Sequence, residues 1–176
     1  MKILVLVASM AIPALVFGQS VPSCTMHEQH QQTSDQHAAG VDARGDHAMG
    51  FSHENSAHHF HLLADGGTIE VVANDANDTA TRDEIRMHLS HIAKMFTEGD
   101  FQVPMFIHET VPPGVPVMES KRGAITYVYE STSNGGQVRI VSADTDAVKA
   151  IHEFLAFQID DHRTGDSKVV APPAHE

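Results

Sequence analysis

Twice the sequence places a glycine pair behind an Asp or Asn and follows it with an alternating run: DGGTIEVVAND from Asp65 and NGGQVRIVSAD from Asn134. Asp-Gly and Asn-Gly supply the positive φ values of the tight turns that join antiparallel strands. Each dipeptide lies between apolar runs, so each predicts a β-hairpin, over 60–72 and 124–142. Helical spacing follows both. Ile85, Leu89, Ile92 and Phe96, ahead of Gly99, predict an amphipathic helix over roughly 82–97, opened by a Thr81/Glu84 capping box. Val148, Ile151, Leu155 and Ile159 predict a second over 146–162, with Asp144 as its cap. The two halves read as one ββα unit used twice, with the helices needing a shift of several residues to align; coincident hairpin chemistry is the other reading. The expected fold is α+β: a two-layer sandwich over 57–165, one antiparallel sheet from two hairpins carrying both helices on one face.

The flanks differ in kind. Residues 1–19 have a basic start at Lys2, an apolar run from Ile3 to Phe17 and small or polar residues at Gly18 and Gln19, the pattern of a signal peptide. The expected location is the periplasm or the medium. Residues 20–56 are rich in Gln, Ser, Asp, Gly and His and poor in aliphatics, so burial offers little to offset their ordering entropy, and a disordered His-rich tail is expected. A second disordered tail is expected over 166–176. Between the two units, Pro104, Pro112, Pro113 and Pro116 predict a long connection with one short strand around Met105–His108. The single cysteine, Cys24, excludes an internal disulfide; lipidation, a free thiol and a soft metal ligand are its alternatives.

A formal net charge of −12 argues against nucleic acid and against strong association with anionic membranes. Fourteen histidines in 176 residues point to metal ions, because neutral imidazole suits copper and zinc and thioether sulfur favours Cu(I). Eight lie in or just after the tail: His27, His30, His37, His47, His53, His58, His59 and His61. A pH-responsive solubilising tail is the alternative. In the first helix Met87, His91 and Met95 stack at i, i+4, i+8, beside His88. With Met105, His108 or Met118 from the proline-rich segment they form a candidate soft-metal site for copper, with zinc second. The competing reading makes Met95 core and His88 and His91 hydrogen-bonded boundary residues.

Catalytic signatures fail. His152-Glu153 begins a zincin-like HEFLA, but Ala156 stands where the second histidine is needed. No haem-attachment pair, nucleophile elbow, phosphate loop or dinucleotide fingerprint is present. His152 and His162 share the apolar face of the second helix but lie about 15 Å apart along it, too far to share an ion. His152 reads as a satisfied core histidine and His162 as a helix-terminal one.

The blocks MGF, HHFHLLADGGTIEV, RMHLSHIAKMF, PMFIH, VPPGVPVM and HEFLAFQIDDHRTGD together resemble a family of small exported bacterial proteins of no assigned activity, across residues 49 to 166. Some members of that family carry an aspartate carbamoyltransferase label. The chain lacks the S-T-R-T carbamoyl-phosphate loop of those longer, cytoplasmic enzymes. The resemblance implies that the His and Met of RMHLSHIAKMF and PMFIH belong to the folded module.

Three functions remain in view. The first is an exported metal-binding protein, copper favoured, acting as buffer or carrier in metal tolerance. The second is a small enzyme or ligand-binding domain with a histidine, His108 or His152, in its pocket. The third is an interaction module that pairs a hairpin edge with a second copy or another periplasmic protein.

Overall fold

A computed structural model describes residues 26–172, with side chains from 33 onward. The signal-peptide segment and Cys24 lie outside the described residues. Strands β1 (Ser56–Leu63) and β2 (Gly66–Ala73) form the first hairpin, and β3 (Ile125–Thr132) and β4 (Gly135–Ser142) the second. They make one four-stranded antiparallel sheet in the order β1-β2-β4-β3, the two glycine-led strands being central. Helices α2 (Thr79–Glu98) and α5 (Thr145–Asp161) cover one face, so the two-layer α+β arrangement expected from sequence is the fold.

The two units are images of each other. Ser56 pairs with Ala73, and Ile125 and Ser142, each 69 positions later, pair in the same way. At the centre Gly66 faces Val141 and Val72 faces Gly135, a set that maps onto itself under the same shift. The glycines explain themselves. A Cβ on Gly66 would come 2.1 Å from the Ile140 carbonyl oxygen, and one on Gly135 would come 2.0 Å from that of Val71, so only glycine lets β2 and β4 approach. The helices follow with a shift of 66, from N-cap Asp78 to N-cap Asp144.

Each helix crosses to the other unit's hairpin: α2 lies mainly over β3 and β4, and α5 mainly over β1 and β2. Leu155 of α5 rests on Gly67, and Leu89 of α2 on Gly136. Ile85, Leu89, Ile92 and Phe96 are buried as their spacing requires. The start of α2 is earlier than expected because Asp78, rather than Thr81, is the cap; its carboxylate accepts from the Thr81 N–H and hydroxyl.

Three segments depart from the sequence reading. The expected strand at Met105–His108 is instead the end of α3 (Gln102–His108), and α4 (Val115–Ser120) follows. Pro104 and Pro116 fall in first turns, where the missing N–H would have had no intrahelical partner, so they start helices here rather than break them. Residues expected as a disordered tail form α1 (Met26–Met49), which continues through Phe51 into the sheet. Few apolar residues suffice because they are well placed: Ala38, Val41, Met49 and Phe51 are buried. The Arg44 guanidinium donates to the Ile107 carbonyl at 2.7 Å and pairs with Glu109, which ties α1 to α3. At the other end, expected as a second tail, Asp166 accepts from the Phe60 N–H and Ala171 bridges to Leu63, which covers part of the β1 edge. Among the described residues no helix is long and apolar enough to cross a membrane.

Candidate ligand-binding cavity

The core is hollow on one side. A cavity of about 60 Å³ lies between α2, α3 and α5, above β1 and β2, and Met49 at the end of α1 closes part of it. Most of its wall is aliphatic or aromatic. Into it come His58 from β1, His88 from α2, His108 from the end of α3, and Gln158 and His162 from α5. Strand alternation accounts for His58, which shares the inner face with Phe60 and Leu62. Gln158 is four residues beyond Phe154 on the buried stripe of α5, and His162 four beyond that.

The rings are stacked in series. Phe51 lies 6.5 Å from His58; His58 and His162 are nearly parallel with centroids 5.4 Å apart; His162 meets His108 edge-on at 5.0 Å. His58 and His162 also line an outer cleft of about 260 Å³ with Asp42, His53 and Thr164, so the stacked pair stands between the cleft and the inner cavity. Burial, helped by the neighbouring His162 and His88, pushes His58 down to about 3. Burial, with His91 beside it, brings His88 to about 4, and burial, with His108 beside it, does the same to His162. These three imidazoles are neutral at physiological pH, each with one donor and one acceptor nitrogen.

A hydrogen-bonded chain runs from the surface to this cavity. The exposed His37 of α1 and the buried His108 both donate to Asp161, at 2.8 and 2.5 Å. Burial pushes the Asp161 carboxyl up, but the hydrogen bonds from His108 and His37 outweigh it and hold the group below the usual carboxylate range. The second ring nitrogen of His108 lies 2.9 Å from Oε1 of the Gln158 amide. The amide nitrogen, Nε2, is buried without a partner.

The unit related by the internal repeat gives a direct control. The images of His58, His88, Gln158 and His162 are Tyr127, Phe154, Ile92 and Phe96. Ile92, Phe96 and Phe154 also form part of the cavity wall, and on the side of Tyr127 and Phe101 the space is filled: Phe96 lies 5.7 Å from Tyr127 and 6.0 Å from Phe154, and Phe101 stacks on Phe96 at 4.4 Å. No protein family, curated protein or solved structure matches the chain.

The residues nominated from sequence are dispersed. Of the α2 stripe, Met87 is 69% exposed and His91 is exposed, while Met95 packs against the core. Met118 is fully buried in the core and Met105 lies at its edge. Only His88 and His108 reach the cavity. Among the tail histidines, His58 lines it and His37 touches its hydrogen-bonded chain. His47 lies against Phe106, His53 binds Asp46, His59 binds Asp166, and His61 stands near Glu70 on the open face of the sheet. The side chains of His27 and His30 lie outside the described residues. Among the described residues no three His, Cys, Asp or Glu side chains are gathered to hold a metal ion. His152 is held by the Leu63 carbonyl. The sequence reading did not single out Gln158 and took His162 for a helix-terminal residue; their places on the apolar stripe of α5 were the available signal.

Proposed function

We propose that this chain is a small-molecule-binding protein whose ligand seats in the histidine-lined cavity. The observation that carries the reading is the contrast between halves. Where one half is closed by aromatics, the other keeps open space and places desolvated imidazoles and an unpartnered amide against it. An unpartnered buried amide group costs about 1–3 kcal/mol; the Tyr127 hydroxyl of the closed half also lacks a partner, and what sets Gln158 apart is the open space beside it. The apolar walls with a few convergent polar groups are the usual composition of a ligand site. Titration of the full chain with 1-hexanol, followed by NMR, tests it. Shifts confined to the rings of His58, His88 and His162 and to neighbours such as Phe60 and Leu89 are expected; shifts scattered over the surface would remove the cavity as the binding site.

A second reading, carriage of copper or, less favoured, zinc, has one observation of its own. Neutral imidazole is the ligating form, and Met49 adds a thioether to the same cavity. Competition of the full chain against a Cu(I) chelator, beside Zn(II), tests it: one-to-one binding weakened about tenfold or more in His88→Ala and His162→Ala supports this reading, and binding unchanged in both moves metal chemistry away from the cavity. The apolar leader supports an exported setting for either reading.

A further inference from the structure

We infer that the ligand presents a hydrogen-bond donor, an O–H or N–H, to the Gln158 carbonyl, and that His108 and Asp161 are positioning residues that fix the amide in this sense. The inference rests on the cavity being a binding site and adds the chemistry of the ligand's head.

The argument follows the protons. Asp161 is an ionised carboxylate and can only accept, so both rings that touch it donate: His37 from Nε2 at 2.8 Å and His108 from Nδ1 at 2.5 Å. A neutral His108 is part of the proposal: with its one proton at Nδ1, the ring has a bare lone pair at Nε2. That lone pair lies 2.9 Å from Oε1 of Gln158, which would set two acceptors face to face, so in the proposal the amide is turned over and its NH₂ placed toward the ring. The carbonyl oxygen then takes the position that Nε2 of Gln158 holds in the structure, which lacks a partner and is enclosed: Gln158 is 4% exposed and lines the cavity. The orphan group is therefore an acceptor.

The surroundings agree. The imidazoles of His58, His88 and His162 are kept neutral by burial, so no cation waits there for a carboxylate or phosphate. Each can rotate a lone pair toward a donor. The volume, about 60 Å³, takes a head of a few heavy atoms, since about 10–15 Å³ of such space holds one water. The rest of the molecule lies along the apolar wall. The ligand class is therefore a small apolar molecule ending in a hydroxyl, amine or amide N–H.

Two measurements on the full chain test this. In the first, 1-hexanol, 1-methoxypentane and hexanoate, which share a chain and differ in head, are compared by NMR titration. Hexanol is expected to bind about tenfold more tightly than the ether, with hexanoate weakest, and Gln158→Leu is expected to erase the difference between alcohol and ether. An ether equal to the alcohol, or a carboxylate tighter than both, would overturn the inference while leaving the cavity as a binding site. If none of the three binds, the proposed function fails instead. In the second, long-range ¹⁵N–¹H spectra of histidine-labelled protein report the His108 tautomer without any variant. A proton on Nδ1 with Nε2 bare is expected. A proton on Nε2 sinks the assignment even where all the probes bind.

Discussion

The two ββα units share a backbone plan and differ in what they enclose. Beneath one, Tyr127 and Phe101 pack on Phe96 and Phe154 and close the space; beneath the other, His58, His88, Gln158 and His162 face the same two phenylalanines across an open cavity. A repeat of this kind separates what the fold requires from what it tolerates. Glycines at the central crossing, Asp caps and leucines over Gly67 and Gly136 recur in both units, so they belong to architecture. The four polar positions recur in neither identity nor chemistry.

Acid should distinguish the halves most sharply. His58, His88 and His162 have their ordinary value near 6.5 in the unfolded chain and lie at about 3 to 4 when folded. Below pH 6.5 the unfolded chain therefore binds protons that the folded one refuses. Stability is full above that point and falls as pH drops toward 4, by up to about 1.4 kcal/mol per pH unit for each group. His53, held above its ordinary value chiefly by its hydrogen bond to Asp46, opposes this weakly from the surface. Urea unfolding between pH 7 and 4.5 checks the slope. The triple variant His58→Tyr/His88→Phe/His162→Phe, which copies the closed half, should flatten it.

Next in size, Phe96→Ala removes the ring that packs the closed half and walls the cavity, and should cost about 3–5 kcal/mol at pH 7. A loss under 1 kcal/mol in the same urea assay would mean that this half is not packed as described. Gly66→Ala and Gly135→Ala should each cost about 1–3 kcal/mol, since both push a Cβ into a carbonyl of the neighbouring central strand, with Gly66→Ala the costlier because its φ of +143° disfavours a side chain. A negligible loss at either position would break the equivalence of the two hairpins. Smallest, His162→Phe alone should raise the midpoint of thermal unfolding, a gain of about 1 kcal/mol at neutral pH from filling space with an apolar ring. A decrease would show that the imidazole there makes a contact the fold needs.

Local signals carried most of the fold. Asp65-Gly66 and Asn134-Gly135 mark the two hairpins, although the turns themselves are Ala64-Asp65 and Ser133-Asn134 and both glycines already stand in the strands; Gly99 ends α2 in a left-handed conformation, and Asp144 caps α5 through the N–H groups of Asp146 and Ala147. Helix α1 was illegible because what fixes it is distant: Arg44 reaches Ile107 and His37 reaches Asp161. Pro104 and Pro116 were ambiguous because a proline that opens a helix and one that ends it look alike in sequence. For the site, His58, His88 and His108 could be nominated by type but not assembled. Gln158 gains its meaning only from His108, fifty positions away along the chain.

The crossing of each helix onto the other unit's hairpin has a further consequence. The helix of each ββα unit covers mainly the other's strands and, of its own, reaches the central one, so the arrangement is that of an intertwined pair, with the two members joined in one polypeptide. Two separate identical chains would place the same residue at both related positions, and a ring that shuts one chamber would shut the other. Covalent linkage removes that constraint. It lets a single molecule be solid on one side of its internal axis and receptive on the other.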